Sequence, residues 1–147
     1  MGTMGFVPLN PCAERITWLP EAATQTFKQG DLVIISSGKV AVMTDDDDIF
    51  GIALRDATGT TDTQLPIYVP GVDEKFIAEA STTTAQTNVG VAYALVVTSG
   101  SMAVNPGSTT SAAFYIDQLD KRDGATTGAG GRVIGRFVYT SLDSIGG

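Results

Sequence analysis

The residues that most suggest chemistry are four consecutive carboxylates, Asp45–Asp48. Adjacent carboxylates repel one another, so they stay in water unless a cation such as calcium neutralises them. An EF-hand loop that began at Asp45 would need glycine at its sixth position and glutamate at its twelfth. Those positions hold Phe50 and Asp56. We therefore interpret the run as a solvated loop and predict no metal site.

Histidine is absent from the sequence, which removes the most common general base and every nucleophile pair that depends on it. Cys12 follows Pro11, and a single cysteine cannot form an internal disulfide; this is typical of proteins that fold in a reducing cytoplasm. The glycine-rich stretch Gly128–Gly131 precedes a predicted strand, not a helix, and does not match a phosphate-binding loop. We expect no catalytic residues and no cofactor.

The charge balance also excludes several classes of partner. Sixteen acidic residues oppose nine basic ones, for a net charge of −7, and the basic residues form no stripe. Nucleic-acid binding is therefore not expected. The first residues lack the features of a signal peptide, and no apolar run is long enough to span a membrane. Charged residues make up only 17% of the chain, which favours a surface that contacts other proteins.

The elements that would position any site are short strands. Three follow one another in the segment 27–57, at Leu32–Ile35, Lys39–Met43 and Ile49–Leu54, because Val, Ile and Phe favour strands and Ser36–Gly38 forms a turn. Further strands are predicted at 65–70, 74–79, 89–98, 102–104, 113–117 and 132–140.

Three details of these strands can be tested against a structure. Pro66 and Pro70 cannot donate to a ladder, so the strand at 65–70 is predicted at a sheet edge. Segment 111–122 fits either a helix or a strand, and we favour a strand followed by a helical turn. Gly51 and Gly135 stand in mid-strand after an apolar pair, which marks a bulge or a close backbone approach.

Turn signals recur throughout the chain, and they predict an all-β fold, either a small β-barrel or a β-tulip-like sandwich. The predicted organisation is an extended N-terminal arm (1–26), a β-barrel domain (27–140) and a flexible C-terminal tail (141–147). Prolines divide the arm into short extended pieces. Two alternatives stay open for it: a strand that packs Trp18 into the core of its own domain, or an arm that lies on a neighbouring subunit.

Several segments together resemble a known family. They are FKQGDLV (27–33), SGKV (37–40), DIFGIALRDATG (48–59), FYID (114–117) and RVIGRF (132–137). This set is similar to the small, β-rich capsid decoration proteins of tailed bacteriophages, also called cement or head-stabilising proteins. The resemblance covers about residues 27 to 140 and leaves the N-terminal arm unmatched.

The resemblance implies a non-enzymatic structural protein of the virion. It would be made in the host cytoplasm, assemble as a homotrimer and bind the major capsid protein on the outer surface of the expanded head. We expect the apolar residues of the arm to carry much of that contact: Phe6, Val7, Leu9, Ile16, Trp18 and Leu19. The alternatives are a phage tail or fibre component, a barrel that binds a small ligand or a carbohydrate and, with least support, a dUTPase-like trimeric enzyme.

Overall fold

A computed structural model of the chain describes residues 5–44, 49–71, 73–82, 84–97, 102–110, 112–119 and 131–138. This part of the chain is all-β, apart from two short 3₁₀ helices, Ala13–Arg15 and Gln86–Asn88. In chain order the strands are β1 (Val7–Pro8), β2 (Ile16–Pro20), β3 (Leu32–Ser36), β4 (Lys39–Val42), β5 (Gly51–Ala53), β6 (Gln64–Tyr68), β7 (Phe76–Glu79), β8 (Ala92–Val96), β9 (Ala103–Asn105), β10 (Phe114–Leu119) and β11 (Arg132–Phe137).

The strands form two antiparallel sheets. The six-stranded sheet has the order β1-β7-β11-β10-β8-β9, and the five-stranded sheet has the order β2-β6-β5-β3-β4. The sheets pack as a sandwich and do not close into a barrel, so the observed architecture is the second of the two expected from the sequence. Isolated parallel bridges also join Glu21 to Val40 and Ala80 to Val104.

The hydrophobic core has two parts because the five-stranded sheet is apolar on both faces. Leu32, Ile52 and Tyr68 belong to a large cluster that also contains residues of the six-stranded sheet. Their sequence neighbours Val33, Ala53 and Ile67 belong to a second, smaller cluster. This division follows from strand geometry, in which successive side chains point to opposite faces.

The predicted series of three strands is confirmed: β3 pairs with β4 and with β5. The edge position predicted for the strand at 65–70 is wrong, because β6 lies between β2 and β5. The Pro66 carbonyl accepts the Leu54 N–H, just beyond the end of β5. The N–H that proline lacks would point to the same side, where β5 has ended, so the sheet tolerates the proline away from an edge.

The two mid-strand glycines do permit close backbone approach. A Cβ atom at Gly135 would lie 2.0 Å from the Tyr115 carbonyl oxygen, and one at Gly51 would lie 2.6 Å from that of Tyr68. The partner of Gly135 is Ile116, where the β10–β11 register shifts in a bulge. The sequence interpretation is confirmed for both residues, although they lie in a sandwich and not at a barrel corner.

Segment 111–122 contains the strand β10, which confirms the choice of strand over helix. The strand continues to Leu119, so the helical turn predicted after residue 117 does not begin there. Three other predictions lie outside the described residues: the solvated loop at 45–48, most of the glycine-rich loop at 124–131 and the C-terminal tail at 141–147.

The N-terminal segment supplies an edge strand to each sheet. β1 pairs with β7 in the six-stranded sheet, and β2 pairs with β6 in the five-stranded sheet. This pairing matches the alternative in which the segment packs on its own domain. That alternative is wrong about Trp18, however, because the indole is 52% exposed and lies outside both core clusters.

Candidate contact surface

The six residues predicted to contact a capsid lie in different environments. Phe6 is only 1% exposed, and its ring centroid lies 5.6 Å from that of Phe114 and 5.2 Å from that of Phe137. The assignment of Phe6 to a contact surface is therefore corrected: it is a core residue of this chain. The Phe6 N–H donates to the Gly30 carbonyl at 2.9 Å, and the preceding Gly5 has a φ of 72° and packs against Gly30, where a Cβ atom would not fit.

Leu9 and Leu19 are half-buried, and Leu19 packs against the smaller core cluster. Val7 is exposed at the edge of the six-stranded sheet, opposite Ile77. Ile16 and Trp18 are exposed on β2, at the edge of the five-stranded sheet. The apolar side chains that a partner could reach along one strand are therefore Ile16 and Trp18.

Ile16 and Trp18 lie on the same face of β2, because they are two residues apart on one strand. Their partners in β6 are Tyr68 and Pro66. The guanidinium carbon of Arg55 lies 5.2 Å from the centre of the indole, in a cation–π contact. We call Ile16, Trp18 and Arg55 the Trp18 surface; Arg55 is its member that the sequence analysis missed, since it comes from a distant loop.

The open edge of β2 offers few backbone groups to a further strand. The Arg15 carbonyl accepts the Val69 N–H, and the Glu21 N–H donates to the Thr63 carbonyl. In an antiparallel pair every second residue bonds to the neighbouring strand, so the N–H and C=O of Trp18 point away from β6. On one side the Ile16 N–H is already bonded to the Ala13 carbonyl, and on the other Pro20 has no N–H. A partner would therefore meet the side chains of β2 more than its backbone.

The start of β2 is fixed by a buried tyrosine. The Tyr68 hydroxyl donates to the Glu74 carboxylate and accepts the Cys12 N–H at 2.9 Å. Glu74 also accepts the Gly71 N–H at 2.9 Å. Burial, and then the hydrogen bond to Glu74, raises the pKa of Tyr68 to about 12, so the hydroxyl stays protonated at neutral pH.

The end of β2 is fixed by Glu21, which is fully buried. Its carboxylate accepts the Thr58 N–H at 3.0 Å, the Thr58 hydroxyl at 2.6 Å and the Gly59 N–H at 2.8 Å. Its backbone bonds to Thr63 and Asp62. The loop at 58–63 therefore folds around one side chain of the N-terminal segment, and β2 is held at both ends.

Of the basic side chains near β2, some have a carboxylate partner among the described residues and others do not. Exposed Lys28 pairs with Asp56, and half-buried Lys39 pairs with Asp62. The ion pairs found within the described ranges do not include Arg15 or Arg55. Both arginines are exposed, one just before β2 and the other against Trp18. Their sequence neighbours Glu14 and Asp56 are also exposed, so the edge carries both signs of charge, and its two arginines lack a carboxylate partner among the described residues.

Among the described residues, the tyrosines do not join Trp18 in a ligand platform. Tyr68 and Tyr93 are buried, and the ring of Tyr115 lies against Arg136 in the other sheet. Within the described part of the chain, no group of three or more potential ligands could hold a metal ion. The helices of that part are too short to cross a membrane.

No protein-family model and no curated protein matches the chain. The fold and the Trp18 surface are therefore the observations from which a function can be argued. The exposed tryptophan is notable because its side chain lies outside both core clusters and so does not contribute to the core of the fold.

Proposed function

We propose that this protein is a capsid decoration protein of a tailed bacteriophage. It would bind the outer surface of the expanded head, as a homotrimer, and stabilise the head by bridging neighbouring major capsid protein subunits. The observation that carries the proposal is the exposed edge strand β2, on which Ile16 and Trp18 face solvent while both ends of the strand are fixed to the body. The resemblance of residues 27–140 supplies the identity of the partner.

The physical argument is one of rigid attachment. Tryptophan, arginine and other large residues dominate the energy of protein–protein contacts when a well-ordered surface presents them. A strand that is already ordered loses little conformational entropy on binding. Contacts of about 1,600 Å² give stable attachment, and many copies around a closed shell act together against outward pressure.

The direct test is co-sedimentation of the purified protein with heads of the phage that encodes it. We expect saturable binding to expanded heads and much weaker binding to unexpanded ones, because expansion creates the surface that the protein bridges. Bound heads should also resist heat and low salt better than bare heads. Electron microscopy of the virion should show the protein on the head.

Each alternative has its own signature in the same material. Density for the protein on the tail, with no binding to heads, would replace the proposal with a tail or fibre component. Hydrolysis of dUTP at a rate above a heat-treated control would replace it with an enzyme. Absence of binding to either form of the head would contradict the proposal outright.

A further inference from the structure

We propose that the Trp18 surface binds an acidic segment of the major capsid protein, one that carries apolar side chains flanked by carboxylates. This inference rests on the proposed function and adds the chemistry of the partner. It follows from the residue types on the surface, from their charge and from the condition of the strand edge.

The apolar part of the argument concerns Trp18. Its indole is 52% exposed, the largest value among the exposed large apolar residues of the described chain, and Ile16 is 37% exposed on the same face. Each is a residue that would gain from leaving water. Arg55 covers part of the indole and leaves the charged edge of its guanidinium next to an apolar surface.

The charge argument concerns Arg55 and Arg15. Half-buried Arg136 pairs with a carboxylate of its own chain, that of Asp117, at 3.1 Å through two nitrogens. No ion pair within the described residues engages Arg55 or Arg15. A carboxylate of an acidic partner segment could pair with Arg55, whose guanidinium is already held against the indole.

The edge of β2 favours contact through side chains. Pro20 and the 3₁₀ turn at Ala13–Arg15 leave essentially one residue, Trp18, with outward N–H and C=O groups. A long strand from a partner could not form a continuous series of backbone hydrogen bonds with β2. The partner should therefore be recognised through its side chains. The affinity of the complex should depend on the Trp18 indole and on the ionic strength.

The test compares variants for binding to expanded heads of the encoding phage. Trp18→Ala should weaken binding by about 30-fold, the effect typical of a central aromatic residue. Arg55→Glu should weaken it by about 10-fold or more at ~50 mM salt, with a smaller difference at ~500 mM, because salt screens the repulsion that it introduces. Ile35→Ala and Lys75→Glu are the matched controls, an exposed apolar residue and an exposed cation away from the Trp18 surface.

The outcomes separate this inference from the proposed function. If the wild type binds and all four variants bind equally well, the Trp18 surface is not the contact, and the proposed function stands. If Trp18→Ala weakens binding but Arg55→Glu does not, the contact is apolar and the acidic partner is contradicted. If the wild type does not bind heads at all, the proposed function fails and the inference fails with it. Far-ultraviolet circular dichroism should show that each variant is folded.

Discussion

Tyr68 illustrates how one side chain connects distant parts of this protein. Its ring belongs to the large core cluster, and its hydroxyl bonds to Cys12, 56 positions earlier, and to Glu74. Cys12 lies just before β2, so the tyrosine fixes the strand that presents Trp18. A phenol that is buried against a carboxylate is stable only while it keeps its proton, because the ionised form would place two negative charges together.

The raised pKa of Tyr68, to about 12 against an ordinary 10.0, predicts a loss of stability at alkaline pH. In the unfolded chain the phenol loses its proton above about pH 10, whereas in the folded chain it keeps its proton up to about pH 12. The stabilisation that the protonated tyrosine gives to the folded state is therefore complete below about pH 10 and is lost as the pH rises to about 12. Between pH 9 and pH 11 the free energy of unfolding of the wild type should fall by about 1.3 kcal/mol relative to Tyr68→Phe.

Urea titrations of both proteins at a series of pH values would measure this difference. Below pH 9 the variant should be the less stable protein by about 1–2 kcal/mol, since the half-buried Glu74 loses a hydrogen-bond donor. A stability difference that stays constant from pH 9 to pH 11 would show that the tyrosine titrates normally and would contradict the prediction.

The residues that hold the candidate surface were largely invisible in the sequence. Glu21 and Glu74 are two acids among sixteen, and nothing in their neighbours indicates burial or the loop amides that they bind. Arg55 meets Trp18 only because β5 and β2 both flank β6. Exposure of Trp18 could not be predicted either, since a lone tryptophan between prolines is as typical of a core as of a surface. Such pairings are set by topology.

At the scale of elements, the strand edges are protected in different ways. β1 has only two residues, one of them Pro8. The edge of β4 is covered by the chain after β2: Ala22 donates to the Val40 carbonyl, and the Gln25 side chain accepts the Val42 N–H. Short edges, proline and covering loops all prevent uncontrolled strand addition, so specific attachment is left to exposed side chains.

The strands themselves were predictable, but their neighbours were not. β-branched runs between turn residues located most strands within a few positions, and the glycine at 135 was recognised as a point of close approach. The order β2-β6-β5-β3-β4 could not be predicted, because local pattern does not record which strand lies beside which. The wrong edge position predicted from Pro66 has this origin. Proline does lack the N–H that a ladder needs, but the sequence of β6 does not show that β5 ends opposite the proline.

Gly135→Ala tests the close packing of β10 on β11. The added Cβ would lie 2.0 Å from the Tyr115 carbonyl and 2.6 Å from a ring carbon of Phe114. Since backbone must move to relieve the clash, the free energy of unfolding should fall by about 3 kcal/mol. Gly107→Ala is the control: its nearest neighbour is the Asn105 side chain at 3.2 Å, so it should change stability by no more than about 0.5 kcal/mol. Equal midpoints in urea for the two variants would contradict the prediction.

At the scale of the whole molecule, the large core cluster unites the sandwich. It contains Leu32 and Ile52 of one sheet together with Phe76 and Phe114 of the other. Phe6 stands among the aromatic residues of this cluster, and the chain that follows it crosses from one sheet to the other. A molecule joined in this way should unfold in one cooperative transition, with the N-terminal segment included.

Phe6→Ala tests whether the N-terminal segment belongs to that unit. Loss of a buried phenylalanine costs about 3–5 kcal/mol, a large part of the stability of a domain of this size. Val7→Ala, one residue further and exposed, should cost less than about 1 kcal/mol. For Phe6→Ala, the midpoints of thermal unfolding measured by far- and by near-ultraviolet circular dichroism should fall by the same amount. If Phe6→Ala is instead as stable as Val7→Ala, the N-terminal segment is a detachable arm, and deletion of residues 1–19 is then a valid test of head binding. If Phe6→Ala is much less stable than Val7→Ala, the same deletion would unfold the protein as well as remove the contact.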